Sequence, residues 1–406
     1  MKFIGVLLVA FIVLLSTPRF GICQWVQSNG TVGGPVTCFA VSGTNIFAGI
    51  LGGGNGVYLS TDNGVSWTAV NTGLTSSYVS TLLTSGTNLF AGTNGGGAYR
   101  STNNGTTWTM IDTGLMNPYS VSAFAVNGAK LFAGTSGGVF LSTDDGTSWT
   151  PVNTGLPNSS YIFALAASGS NLFAATGSGV FLSTNNGTNW MAACAGITDT
   201  VVRSFAVSGT NLFAASYYGG VFRSTNNGTS WTDIRTGLAG DSLRVLSVSD
   251  SNLFAGTHHH GVFFSRNNGT SWTSDNAGLR YTDVLAFVVS GANLFAGTWN
   301  GGVWRRPLSE MSVSQNELPT TFTLNQNYPN PFNPSTEISF VLAERSMVQL
   351  DVFDMLGRKI QTLVNATMDA GLHNATFNAG NLPSGIYTAQ LTTNGGQRGM
   401  KMILSK

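Results

Sequence analysis

Residues 60–67 read STDNGVSW, and the phrase returns as STNNGTTW at 101–108, STDDGTSW at 142–149, STNNGTNW at 183–190, STNNGTSW at 224–231 and SRNNGTSW at 265–272. The closing tryptophans, Trp67, Trp108, Trp149, Trp190, Trp231 and Trp272, stand 41 residues apart. A second phrase, (N/K)-(L/I)-F-A-(G/A), places Phe47, Phe90, Phe132, Phe173, Phe213, Phe254 and Phe295 at steps of 40 to 43 residues. A fixed period of this length marks a repeat architecture, in which each unit buries its apolar face only against its neighbours.

Each unit breaks into four short runs separated by turn residues. In the fifth these are Val202 to Val207, Asn211 to Ala215, Val221 to Ser224 and Trp231 to Arg235, parted by a Ser-Gly turn, Gly219-Gly220 and Asn226-Asn227-Gly228. Four strands in about 40 residues is the period of a β-propeller blade. A β-solenoid repeats sooner, and helical repeats need a 3.6-residue periodicity that these runs lack. The phenylalanine phrase occurs seven times and the tryptophan phrase six. The missing copy is supplied from the other end of the chain: QWVQSNG at 24–30 aligns with the stretch around Trp67, and Trp25 lies 42 residues before it. Val303-Trp304-Arg305-Arg306, in turn, is followed by no turn and no fourth strand. The predicted fold is all-β: a seven-bladed β-propeller of ~41-residue four-stranded repeats over residues 24–306, followed by a small β-sandwich. The strand at Gln24 completes the last blade and removes its open edge.

Composition agrees. Of 406 residues 9% are charged and 52 are glycine, against roughly 25% charged and 7% glycine on average. Eighteen Lys and Arg against 17 Asp and Glu leave a net charge of +1, which offers a polyanion such as nucleic acid no basic field. Met1-Lys2, the apolar run Phe3 to Leu15 and the polar stretch to Cys23 read as a secretory signal peptide over residues 1–23. The apolar run is short of the ~20 residues of a spanning helix, so the mature chain is expected not to cross a membrane. An acylated Cys23 is the alternative, disfavoured by Ile22 where a small residue is expected. Cys38 and Cys194 then remain, read as independent core thiols with no metal site.

The repeated phrase S-x-(D/N)-x-G-x-x-W resembles the Asp-box, or BNR repeat, of sialidases, sortilin-type receptors, xyloglucanases and a photosystem assembly factor. The resemblance implies that the phrase is the turn between third and fourth strands, on the face opposite any active site. Its Asp or Asn accepts backbone N–H groups, Gly takes the left-handed position and Trp packs into the blade. The acid is Asp62 and Asp144 in two copies and Asn103, Asn185, Asn226 and Asn267 in the others, so the turns read as structural and not as calcium sites. The same turn accounts for the sequon-like triplets at Asn104, Asn186, Asn227 and Asn268.

Beyond Pro307 the repeat stops. QNYPNPFNPST, VFDMLGRKI, LPSGIY and the closing Lys401 to Lys406 segment resemble the type A sorting domain of the type IX secretion system. The implied division is signal peptide 1–23, propeller 24–306, linker 307–318 and sorting domain 319–406, with the secretion machinery as partner and the cell surface or medium as destination.

Candidate site residues are those that depart from the repeat at the end of the ring carrying the loops from fourth to first and from second to third strand. The second, third and fourth units carry Ser, Thr, Asn and one Tyr each there, Tyr78, Tyr119 and Tyr161, and the next three units differ. The fifth brings Asp199, Arg203, Tyr217 and Tyr218; the sixth Asp241, Arg244, His258, His259 and His260; the seventh Arg280, Tyr281, Asp283 and Trp299. One reading pairs Asp and Arg between neighbouring strands and leaves the His run as a solvated loop. Another is a ligand patch, with Arg203 and Arg244 on a carboxylate or sulfate and the aromatics stacking on sugar faces. Three consecutive His point to alternate sides, a poor metal site. Sialidase chemistry needs a Tyr activated by Glu, and the Glu residues, Glu310, Glu317, Glu337 and Glu344, all lie beyond residue 306. A hydrolase of the xyloglucanase kind would draw its two carboxylates from Asp199, Asp241 and Asp283. The favoured expectation is an exported, non-catalytic binding or scaffold protein without cofactor or metal, its partner a glycan or a surface protein.

Overall fold

The computed structural model describes residues 24–29, 34–52, 56–115, 120–158, 160–218, 220–238, 242–249, 251–311, 322–327, 329–342, 345–368 and 371–406. The proposed signal segment 1–23, Tyr119 and Asp241 lie outside them. The chain divides into two compact units, Met1–Ser312 and Val313–Lys406.

The first unit is a ring of seven four-stranded antiparallel sheets. Blade one runs Val36–Ser42, Asn45–Ile50, Val57–Ser60 and Thr68–Ala69, and five blades repeat its order. The seventh joins Val284–Ser290, Asn293–Thr298 and Gly302–Pro307 to Val26–Gln27, with Val26 opposite Arg305 and Gln27 opposite Trp304. The first and last strands of the propeller close the ring. Leu308–Met311 forms a helical turn that buries Met311 in the core around Trp304.

The phenylalanine phrase is the second strand, buried from its second residue onward in every blade. A strand covered on both faces reads as a continuous apolar run. In four places its ring packs against the turn glycine of the next blade, as where a Cβ on Gly228 would come within 2.6 Å of Phe173. Six tryptophans of the series, all but Trp67, latch blade to blade: Trp108 donates Nε1–H to the Val70 carbonyl at 2.8 Å and its backbone N–H to Thr72 at 2.8 Å. Trp149, Trp190, Trp231 and Trp272 repeat both bonds. Trp25 makes them at the seam, Nε1 to Asp275 at 2.8 Å and N to Ala277 at 2.7 Å.

At Asp275 the repeat is broken in an informative way. The residues at its register are Val70, Ile111, Val152, Ala193 and Ile234, and Arg306 stands where the other blades carry the turn serine. Asp275 and Arg306 are both buried and form an ion pair in the space that a turn would have filled. Burial pushes the Asp275 carboxyl above its ordinary range, with Arg306 pulling it back.

The turn phrase behaves as a self-contained knot. Asp62 accepts from Ser60 Oγ at 2.8 Å, Val65 N at 3.0 Å and Ser66 N at 2.9 Å through one oxygen, and from Ser66 Oγ at 2.5 Å through the other. In blade two Asn103 Oδ1 accepts from Ser101 Oγ and Thr107 N, and its amide donates to Thr107 Oγ1. The left-handed conformation falls on two residues and not on glycine alone: Asn63, Asn104, Asp145, Asn186, Asn227 and Asn268 have φ of 53–57°. Asn and Asp tolerate that region best among non-glycine residues, which explains their use before the glycine.

Hydrogen bonds, led by the Ser66 and Ser148 hydroxyls, hold Asp62 and Asp144 down at about 2 from an ordinary 3.8. Depressed acids contribute stability above the unfolded value, and that contribution is lost as pH falls through the folded one. Part of the drop in unfolding temperature between pH 4 and pH 2 is therefore expected to vanish in Asp62→Asn/Asp144→Asn, since Asn serves in the other turns. An unchanged drop would assign the acid sensitivity elsewhere.

Cys38 and Cys194 are free thiols, and burial raises Cys38 to about 12. The second unit packs a three-stranded sheet (Thr323–Leu324, Ser335–Leu342, Gly371–Asn378) with a four-stranded one (Lys359–Met368, Ser346–Phe353, Gly385–Thr393, Gly396–Leu404). Ser335–Leu342 alternates buried and less buried residues, and its Ile338, Phe340 and Leu342 meet Val348, Leu350 and Val352 in one core.

Candidate functional site

The inner strands of all seven blades line a cavity of about 360 Å³. At the register nearest the loop end the wall reads Thr37, Ser80, Ser122, Phe163, Arg203, Arg244 and Leu285 around the ring. The two arginines occupy equivalent places on adjacent blades and have opposite surroundings.

Arg244 is neutralised. Its Nε lies 3.1 Å from Asp283 Oδ1, and His258 Nε2 lies 3.4 Å from Oδ2 of the same carboxylate. Backbone bonds fix the group: His258 N donates to Ser242 O at 2.9 Å and Trp299 N to Asp283 O at 3.0 Å. His259 packs its ring on His258 with centroids 3.8 Å apart, and His260 is tied by its N–H to Thr257 Oγ1 at 2.9 Å. Among the described residues no three His, Cys, Asp or Glu gather as a metal would require.

Among the described residues Arg203 has no carboxylate partner. Its guanidinium lies 4.4 Å from the centroid of Phe163, on blade four, and 5.2 Å from that of Tyr217, on blade five. Cation and ring faces attract through the aromatic quadrupole, so the side chain is held by its flat faces while its N–H donors remain available. Tyr161 continues the cluster at 5.1 Å from Phe163, and Tyr218 meets Tyr217 edge-on at 4.6 Å. Tyr161 and Tyr218 are exposed. Asp199, on the same blade as Arg203, accepts from Val201 N at 3.1 Å and Tyr218 N at 2.6 Å. It braces the loop that carries both tyrosines.

On blade seven Tyr281 and Trp299 are exposed, with Tyr281 edge-on to Trp304 at 6.5 Å, and Arg280 is exposed. The structure thus gathers Arg203, Tyr217, Tyr218 and Asp199 in one cluster and Arg244, His258 and Asp283 in another. Phe163 escaped the sequence reading, although it is the one aromatic at the Arg203 register, a signal that aligning the inner strands exposes.

Residues 326–405 match a family described as a secretion system C-terminal sorting domain, and residues 77–218 match the DUF6242 beta propeller domain. Among solved structures, YCF48 bound to D1 peptide superposes with a TM-score of 0.57 at 14% identity, over 70% of this chain and 96% of that one. The GH74 xyloglucanase of Xanthomonas campestris gives 0.58 at 14% identity over 78% of this chain, which spans 59% of the enzyme. YCF48 from Cyanidioschyzon merolae gives 0.55 at 14% identity, over 70% and 98%. At such identities the likeness concerns the fold. No match was found among curated proteins. Among the described residues no helix is long and apolar enough to cross a membrane. The chain is a β-propeller followed by a secretion sorting domain, a protein carried across the outer membrane to the cell surface or the medium.

Proposed function

We propose that the propeller is a non-catalytic binding module of the Asp-box class, released from a signal peptide over residues 1–23, joined to the sorting domain through a linker that begins after Met311 rather than at Pro307, and working outside the cell without cofactor or metal. Its ligand surface is the loop end of blades four to seven, and its ligand an acidic glycan or an acidic segment of a surface protein. The observation that carries this reading is Arg203, held between Phe163 and Tyr217 with no ion-pair partner among the described residues. A planar guanidinium fixed in this way suits a carboxylate or sulfate, and exposed Tyr161 and Tyr218 offer flat faces beside it. Of the carboxylates that a hydrolase would draw on, Asp199 is engaged by backbone amides and Asp283 by Arg244 and His258. A hydrolase needs one of them free to take or give a proton.

A glycan-array screen, paired with a reducing-sugar assay on whatever binds, tests the reading. Arg203→Ala is expected to weaken binding about ten- to a hundredfold, the worth of a charge-assisted hydrogen bond. Arg203→Lys restores little, because an ammonium lacks the stacking plane. Sugar release that disappears in Asp199→Asn or Asp283→Asn would make the module a hydrolase instead.

A further inference from the structure

We infer that the sorting domain presents an apolar tip, Met355 and Leu356, with the groove beside it, as the surface that docks into an apolar, acid-rimmed pocket of the secretion machinery. The inference rests on the export reading of residues 326–405.

The two side chains occupy the turn between Ser346–Phe353 and Lys359–Met368, and are 73% and 78% exposed. Leu356 is the most exposed large apolar residue described in the chain. A lone exposed leucine is ordinary. Here the turn is built to hold two of them out. The Asp354 carboxylate accepts the N–H of Leu356 and of Arg358, each at 2.9 Å, and Arg358 Nε at 2.7 Å. Asp354 and Arg358 exchange a further backbone bond at 3.0 Å, and Gly357 takes φ of 76°. A tip fixed before binding loses little conformational entropy when it docks, so rigidity and apolar exposure together favour a partner.

The groove at its base has a volume of about 590 Å³ and is bounded by Phe353, Met355, Ile386, Thr388, Gln390 and Lys401. Charge at this place is positive on balance. Arg358 is matched by Asp354 and Lys359 by Asp351, whereas Lys401 has no ion-pair partner among the described residues. Complementarity therefore asks for carboxylates around an apolar pocket. A second copy of this chain would bring another Lys401 to the same rim, which argues against self-association through the tip.

The test uses the full chain in a cell that carries the secretion machinery, with surface, medium and periplasmic fractions assayed separately. Met355→Ser/Leu356→Ser is expected to cut the exported fraction at least tenfold and accumulate the protein in the periplasm. Lys401→Glu is expected to lower export as well, and Met347→Ser, exposed on the same sheet but away from the tip, to leave it unchanged. Exposed substitutions of this kind leave stability nearly unchanged. Thermal unfolding of the purified variants checks this, and Leu356→Asn alone serves if the double variant misfolds. Export of the tip variant at the parental level, while deletion of 326–406 abolishes it, would overturn the docking inference and leave the export reading intact. Export of the deletion itself would remove the export reading. A purified parental chain that is dimeric, and monomeric in the tip variant, would assign the tip to self-association and overturn the inference too.

Discussion

Asp275→Ala alone is expected to cost the propeller about 3–5 kcal/mol, because it leaves Arg306 charged and buried without its partner. The pair sits at the seam of the ring, next to the carbonyl that receives the Trp25 indole. Asp275→Ile with Arg306→Met puts an apolar residue at the register of Ile111 and Ile234 and keeps the volume of the arginine. Replacing a buried pair in this way is neutral or stabilising by about 1–4 kcal/mol, so the double variant should recover the stability of the parent or exceed it. Arg306→Met alone leaves a buried carboxyl whose folded value is raised. Such a group favours the folded state at low pH and loses that advantage as pH rises, so this variant should be more stable at pH 4 than at pH 7. Removal of residues 24–29 takes away Trp25, which is 2% exposed, at about 3–5 kcal/mol for the side chain, and reopens the edge of blade seven. Urea unfolding of the four proteins decides the matter. Single variants within 1 kcal/mol of the parent would show that the seam does not hold the ring.

Deletion of residues 326–406 is expected to abolish surface delivery altogether while the propeller still folds. The matched sorting family covers 326–405, and the two units are compact on their own. Cell fractionation with antibody against the propeller should find the truncated chain in the periplasm. Its appearance at the surface or in the medium in ordinary amounts would place the address elsewhere in the chain.

The ring was legible because repetition converts weak local signals into a strong one. A single NLFAG is an ambiguous apolar run, but seven at steps of 40 to 43 residues are seven strands buried alike. Closure was legible for the same reason, since Trp25 filled the one vacant place in the series. The Asp275–Arg306 pair stood in the same alignment as two departures 31 residues apart, and only packing across the seam relates them. The loop end was legible in composition and opaque in pairing. Arg203 and Arg244 share a register, yet their surroundings differ because Asp283 reaches Arg244 from the next blade while Phe163 reaches Arg203 from the preceding one. Such contacts run between blades, where side-chain direction and loop length decide and no local pattern records the outcome.

The meeting of Val26–Gln27 with Trp304 and Arg305 also bears on when the molecule becomes whole. Each blade's own hairpins form from near neighbours and fold early. The last sheet must wait for a partner made some 280 residues before it, and synthesis supplies the beginning of that pair long before the end. A chain broken off before Trp304 keeps an orphaned first strand and an open circle. It also lacks everything after the break, including the segment that directs export. Completeness of the ring and possession of the address are thus acquired in that order by one pass of the ribosome, and a chain that carries the address has already made every blade.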